Sequence, residues 1–113
     1  MSKATLTDWA WVETMIFQSL LGVTTVQVIA FGLSERACDW VVTFFVNGKI
    51  SEELRSDLVE MPGEAEAALE QVSEAVSNEA MKPIVVEIEI IEKSVTYSYL
   101  REKVDRPLFW LKV

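Results

Sequence analysis

Carboxylates are the reactive groups this 113-residue chain carries in quantity. Twelve acidic residues fall between Ile50 and Glu92, where the only bases are Arg55 and Lys82; the stretch carries a net charge of −10 in a chain whose total is −8. Glu53, Asp57, Glu60 and Glu64, then Glu66, Glu70 and Glu74, recur at helical spacing. Like charges four apart on a helix repel, and an ordinary solvated helix interleaves Lys or Arg. Two readings fit: an outer face that water solvates, or a surface built to meet a basic protein partner. Glu87 and Glu89 alternate on one side of an extended segment, about 7 Å apart. That spacing suits either an acid/base pair or a wet strand face. Carboxylate-rich helices also bind divalent cations, but the sequence has no DxDxDG-type loop.

The remaining chemistry is sparse. The chain has no histidine, which removes Ser-His-Asp and Cys-His catalysis and His-based metal sites. Cys38 is the sole cysteine and sits in a polar turn without a base beside it, which fits a structural or incidental thiol. Neither GxGxxG nor a Walker-type loop is present. The expectation is a non-enzyme without cofactor or metal. The negative charge argues against nucleic acid or an anionic membrane as a direct ligand. A lone cysteine, the lack of a signal-like N-terminus and the lack of an apolar run of about 18 residues fit a cytoplasmic protein. The length suggests one domain, residues 1–113.

These groups need elements to hold them. Thr7 is placed to cap a first helix with Asp8 in its first turn. Val12, Met15, Ile16, Ser19 and Leu20 share a face, Trp9, Trp11 and Phe17 add apolar bulk, and Gly22 supplies the stop. Residues 24–33 turn β-branched and aromatic, and Ser34 to Ala37 is a polar break. From Trp40 to Val46 both alternate sets are apolar, which marks a central strand or one covered on both faces. Asn47-Gly48 is a turn, and Ser51-Glu52-Glu53 opens a helix. Leu54, Leu58 and Met61 line its inner side, and Pro62-Gly63 predicts a break. A second helical piece over 64–76 turns Ala65, Ala68, Leu69, Val72 and Val76 inward and projects Glu66, Glu70 and Glu74 away.

Residues 84–92 alternate again, with Val86, Ile88 and Ile90 on one face. A Lys93-Ser94 turn would set Ile90 beside Tyr97 and Ile88 beside Tyr99, with Arg101 following on the inner face. Leu108 to Leu111 is apolar enough to pack as a last short strand or cover a sheet edge. The predicted fold is α+β: an antiparallel sheet with helices packed on one face, in the order helix, strand, strand, helix broken at Pro62, strand, strand. Tyr97, Tyr99 and Arg101 are residue types that interfaces favour. They form either an exposed cluster or two core tyrosines with hydroxyls at the rim.

Three stretches carry a family resemblance: 19–23 (Ser-Leu-Leu-Gly-Val), 43–53 (Thr-Phe-Phe-Val-Asn-Gly-Lys-Ile-Ser-Glu-Glu) and 97–102 (Tyr-Ser-Tyr-Leu-Arg-Glu). In that order they resemble small acidic bacterial proteins found beside polymorphic toxins, including immunity proteins of contact-dependent growth inhibition systems. The resemblance covers most of the chain and implies a protein that binds a cognate toxin domain, commonly a basic nuclease, and blocks it. It brings no catalytic residues. An acidic secretion chaperone for an effector, or a housekeeping adaptor domain, are the rival readings. Assembly into a homodimer stays open.

Overall fold

The computed structural model describes residues 3–20, 27–92 and 95–110. Helix α1 spans Leu6–Ser19 and is capped by Thr5, not Thr7. The Thr5 hydroxyl accepts from the Asp8 N–H and Asp8 Oδ2 accepts from the Thr5 N–H, each at 3.0 Å. This reciprocal box needs an acid at the third helical position, and only a start at Leu6 puts Asp8 there. Trp9, Val12, Met15 and Ile16 are buried, while Phe17 is not. The proposed Gly22 stop lies outside the described residues; α1 ends earlier, with Leu20 as its C-cap.

Strand β1 is Val28–Glu35 and β2 is Trp40–Asn47, paired antiparallel. Strand β1 thus takes in Ser34 and Glu35, half of the expected polar break. Gly48, at φ 73°, turns the chain after β2, a conformation that glycine adopts without penalty. Helix α2 then runs Glu52–Glu70, with the Ser51 side chain accepting from Leu54 N–H at 3.1 Å.

Pro62 does not break α2; it lies buried inside one continuous helix. An internal proline costs about 3 kcal/mol. Against that stands an inner stripe of Leu54, Leu58, Met61, Ala65 and Leu69, all buried. Their spacing runs in helical register across Pro62, so a break would turn Ala65 and Leu69 out of the core. Burying one leucine is worth about 1.5–3 kcal/mol, enough to offset most of the penalty. The helix stops before the expected end, and residues Ser73–Ala75 and Asn78–Met81 form single 3-10 turns.

Strand β3, Ile84–Ile91, pairs parallel with β2, and β4, Arg106–Trp110, pairs antiparallel with β1. The sheet order is β3-β2-β1-β4. It is therefore a mixed sheet, not an antiparallel one. A parallel neighbour follows from the connection: α2 carries the chain back along the sheet before β3 begins, as a crossover must. The apolar tail does become a strand, as its composition predicts.

The hairpin expected after β3 does not exist. Residues Tyr97–Lys103 form helix α3, so Ile90 and Ile88 have no strand partners in Tyr97 and Tyr99; the Lys93-Ser94 turn lies outside the described residues. Thr96 caps α3 by accepting from Tyr99 N–H at 3.2 Å, and Arg101 and Lys103 sit in its last turn, where the dipole favours cations. Leu100 and Val104, one helical turn apart, reach the sheet together.

Helices accordingly cover both faces. Trp40, Val42, Phe44 and Val46 pack with α1 and α2, and Trp9 meets Trp40 edge-on at 4.9 Å. Phe45, Ile29 and Ala30 pack with Leu100, Val104 and Val95 on the other side. Central strand β2 is apolar on both faces because each face has its own core.

Candidate functional site

The seven acids from Glu53 to Glu74 do not form one array. Glu53, Asp57, Glu60 and Glu64 lie within about 60° of one another around α2, in a stripe about 17 Å long. All four are exposed. None has an ion-pair partner among the described residues. Arg55 lies on the far flank of the helix at 100° per residue.

Glu66 departs from the expected projection: it is half-buried, and its Oε2 accepts from the Ile84 N–H at 3.4 Å. Its position after Ala65 turns it toward the start of β3, where an outward-pointing amide needs an acceptor. Glu70 is exposed at the C-terminal end of α2, and Glu74 is exposed in the 3-10 turn. These three therefore do not share a surface.

Three of the described cations are engaged elsewhere. Lys82 meets Glu35 at 3.0 Å and Glu79 at 3.1 Å, with its side chain 10% exposed. Burial there pushes its pKa down, but the hydrogen bonds and charges of Glu35 and Glu79 outweigh this and raise it. Arg36 pairs with Glu87 and Arg106 with Glu13. Asp8, the buried carboxylate of α1, ties that helix to the turn before β3: the Ser77 N–H donates to Oδ1 at 2.8 Å and the Ser77 hydroxyl to Oδ2. Burial raises the Asp8 pKa, but these bonds and those from Thr5 outweigh it and hold the carboxyl below its ordinary range.

The proposed cluster of Tyr97, Tyr99 and Arg101 also divides. Tyr97 is 46% exposed, tilts against Trp110 at 5.7 Å, and has the Arg101 guanidinium 5.9 Å from its ring centre. Arg101 is exposed on α3, not on an inner sheet face. Tyr99 is half-buried, and its ring packs edge-on against Phe45. Its hydroxyl donates to Glu89 Oε2. That bond, with burial and the charge of Glu89, pushes the Tyr99 pKa up.

Sequence reasoning missed the place this contact creates. Between the end of β3 and the start of α3 lies an open cavity of about 720 Å³, lined by Glu89, Ile90, Ile91, Glu92, Val95, Thr96 and Tyr99. Its lining combines Ile90, Ile91, Val95 and the Tyr99 ring with two carboxylates, neither paired with a cation among the described residues. The apolar-acidic alternation of residues 88–92 is its only trace in the sequence. Glu89 is thus half-buried and hydrogen-bonded, not simply on a wet face. Val86 and Ile88 pack on the α1–α2 side as their alternation predicts, whereas Ile90, expected beside them, is exposed. Among the described residues no helix is long and apolar enough to cross a membrane. No family model matches the sequence, and comparison with curated proteins returns no match.

Proposed function

We propose that this is a non-catalytic binding protein for a basic protein partner, acting as an immunity protein that neutralises a toxin domain, most simply a nuclease-type one, by stoichiometric binding. The observation that carries the reading is the stripe of Glu53, Asp57, Glu60 and Glu64, exposed and without a cation of the chain's own among the described residues. Four uncancelled charges on one side of a helix raise the local concentration of a basic surface and speed its encounter. The protein would block its partner by covering it, which needs no nucleophile and no cofactor.

The test is co-expression with the neighbouring gene product, purification of the complex, and measurement of the association rate against salt. Rates that fall steeply with salt and a stoichiometric end point support the reading. Salt-independent association, or inactivation of many toxin molecules by one copy, overturns it. A partner bound only while unfolded would point to a secretion chaperone instead.

A further inference from the structure

The two edges of the sheet are unequally protected. Strand β4 is five residues long and contains Arg106 and Pro107, features that discourage strand addition. Strand β3 is eight residues long, Ile-Val-Val-Glu-Ile-Glu-Ile-Ile, with no proline or lysine. The direction of its backbone groups is fixed at both ends. Trp40 N–H donates to Pro83 O at 2.8 Å and Gly48 N–H donates to Ile91 O at 3.2 Å. Odd-numbered residues of β3 therefore bond to β2, and even-numbered ones turn their N–H and C=O outward. Glu66 takes the first of these, the Ile84 N–H. The backbone groups of Val86, Ile88 and Ile90 face outward with no strand beside them among the described residues. Ile90 is 51% exposed and Val85 38%.

Charge decides what can lie there. A second copy, added antiparallel about a two-fold axis, would centre on Glu87, Ile88 or Glu89 to use the open length. The registers centred on Ile88 or Glu89 bring Glu89, which has no cation beside it among the described residues, against Glu87 or Glu89 of the other copy; the one centred on Glu87 would have to accommodate two Arg36–Glu87 ion pairs at the seam. Like charges directly opposite are destabilising. A strand carrying Lys or Arg at the same position would meet Glu89, Glu92 and the cavity beside them, whose apolar lining fits the stem of such a side chain.

We propose that the outer edge of β3 takes an added strand from the basic partner, an extended segment in which a Lys or Arg falls beside Glu89. This inference rests on the reading of a basic partner but concerns a different surface from α2. Main-chain bonds would supply the grip and alternate side chains the choice of sequence.

The test uses the isotope-labelled full chain and a capped peptide of about eight residues alternating Val and Lys, with a Val–Glu peptide as control. Amide exchange at Val86, Ile88 and Ile90 should slow by about tenfold or more on saturation, while Glu87 and Glu89 amides, already bonded to β2, stay as they were. Ile90→Pro removes an outward N–H and leaves the ladder to β2 intact; it should weaken the peptide by about tenfold, and Glu89→Gln by severalfold. Circular dichroism checks that both variants fold. Equal binding of the Val–Glu peptide, protection elsewhere, or no change at millimolar Val–Lys peptide would overturn the inference. So would protection of the same amides that grows with protein concentration alone, since a second copy would then own the edge. Neutralising the α2 stripe should alter peptide binding less than twofold at physiological salt, where charges are screened over about 8 Å. Failure of the edge therefore leaves the α2 reading standing, and the reverse.

Discussion

Replacing Asp57 with Asn, and Glu60 and Glu64 with Gln, should make the protein more stable and a poorer binder. The magnitude follows from α2. Glu53 and Asp57, Asp57 and Glu60, and Glu60 and Glu64 are like-charged neighbours at helical spacing, exposed, and without cations among the described residues. Each such pair costs about 0.2–0.5 kcal/mol, so relieving three of them should raise stability by roughly 1 kcal/mol. Glu53 is kept because the first turn favours an acid. Urea unfolding reads the gain, which should shrink in 1 M salt, where the screening length is about 3 Å. Stopped-flow association with the partner reads the other half: at low salt the rate should drop by about tenfold. A variant that gains stability but associates as fast as wild type would reduce the stripe to a solvated face. One that loses stability would refute the account of α2 itself.

Asp8→Ala should cost about 2–3 kcal/mol, since charge-assisted bonds to Ser77 and Thr5 disappear while both of those residues can rehydrate. Because folding lowers the Asp8 pKa, its contribution is full above the unfolded value, about 3.9, and is lost as pH falls through the folded one; the gap between wild type and variant should narrow in acid denaturation series. Lys82→Met should destabilise, because the bond from its ammonium to Glu35 is lost while the Lys3 and Ala4 N–H groups still donate to that carboxylate; chemical denaturation checks this. Gly32→Ala should destabilise by about 1–3 kcal/mol, because the added Cβ would sit 2.9 Å from Val104 Cβ and 3.0 Å from Arg106 O. Pro62→Ala should raise the melting temperature: it restores a bond to the Leu58 carbonyl, partly offset by about 1 kcal/mol of unfolded-state entropy.

What could be read from residues alone was whatever depends on one element's own periodicity. The doubly apolar run from Trp40 to Val46 announces a strand with a core on each side, and it has both. The inner stripe of α2 was legible for the same reason, and the last strand from the apolar composition of the tail. Pairing direction was not, because alternation reports which face is buried and not which strand lies beside it. Tyr97 and Tyr99 mimic a strand over too few residues to decide; the Thr96 cap was the better signal. At the candidate site, the acids on α2 were visible as a stripe, but Glu66 depended on where β3 begins. The contact between Tyr99 and Glu89 joins α3 to a strand, and no local pattern encodes it.

The two proposed surfaces would act at different ranges. Arg36, Lys82 and Arg106 are held in ion pairs with Glu87 on β3, Glu35 at the end of β1 and Glu13 on α1, so they offset charge there and not along Glu53 to Glu64. The field of the α2 stripe extends over a Debye length, about 8 Å at physiological salt, whereas strand addition at β3 acts only at hydrogen-bond distance. A long-range attraction sets how often partners meet, and short-range pairing sets how long they stay. Neutralising Asp57, Glu60 and Glu64 should therefore slow association and leave dissociation nearly unchanged. Ile90→Pro should do the opposite. Surface-attached binding kinetics on one partner preparation separate the two, and a swap of the signatures, with α2 governing dissociation and β3 governing encounter, would show that the partner grips the helix and merely passes the strand.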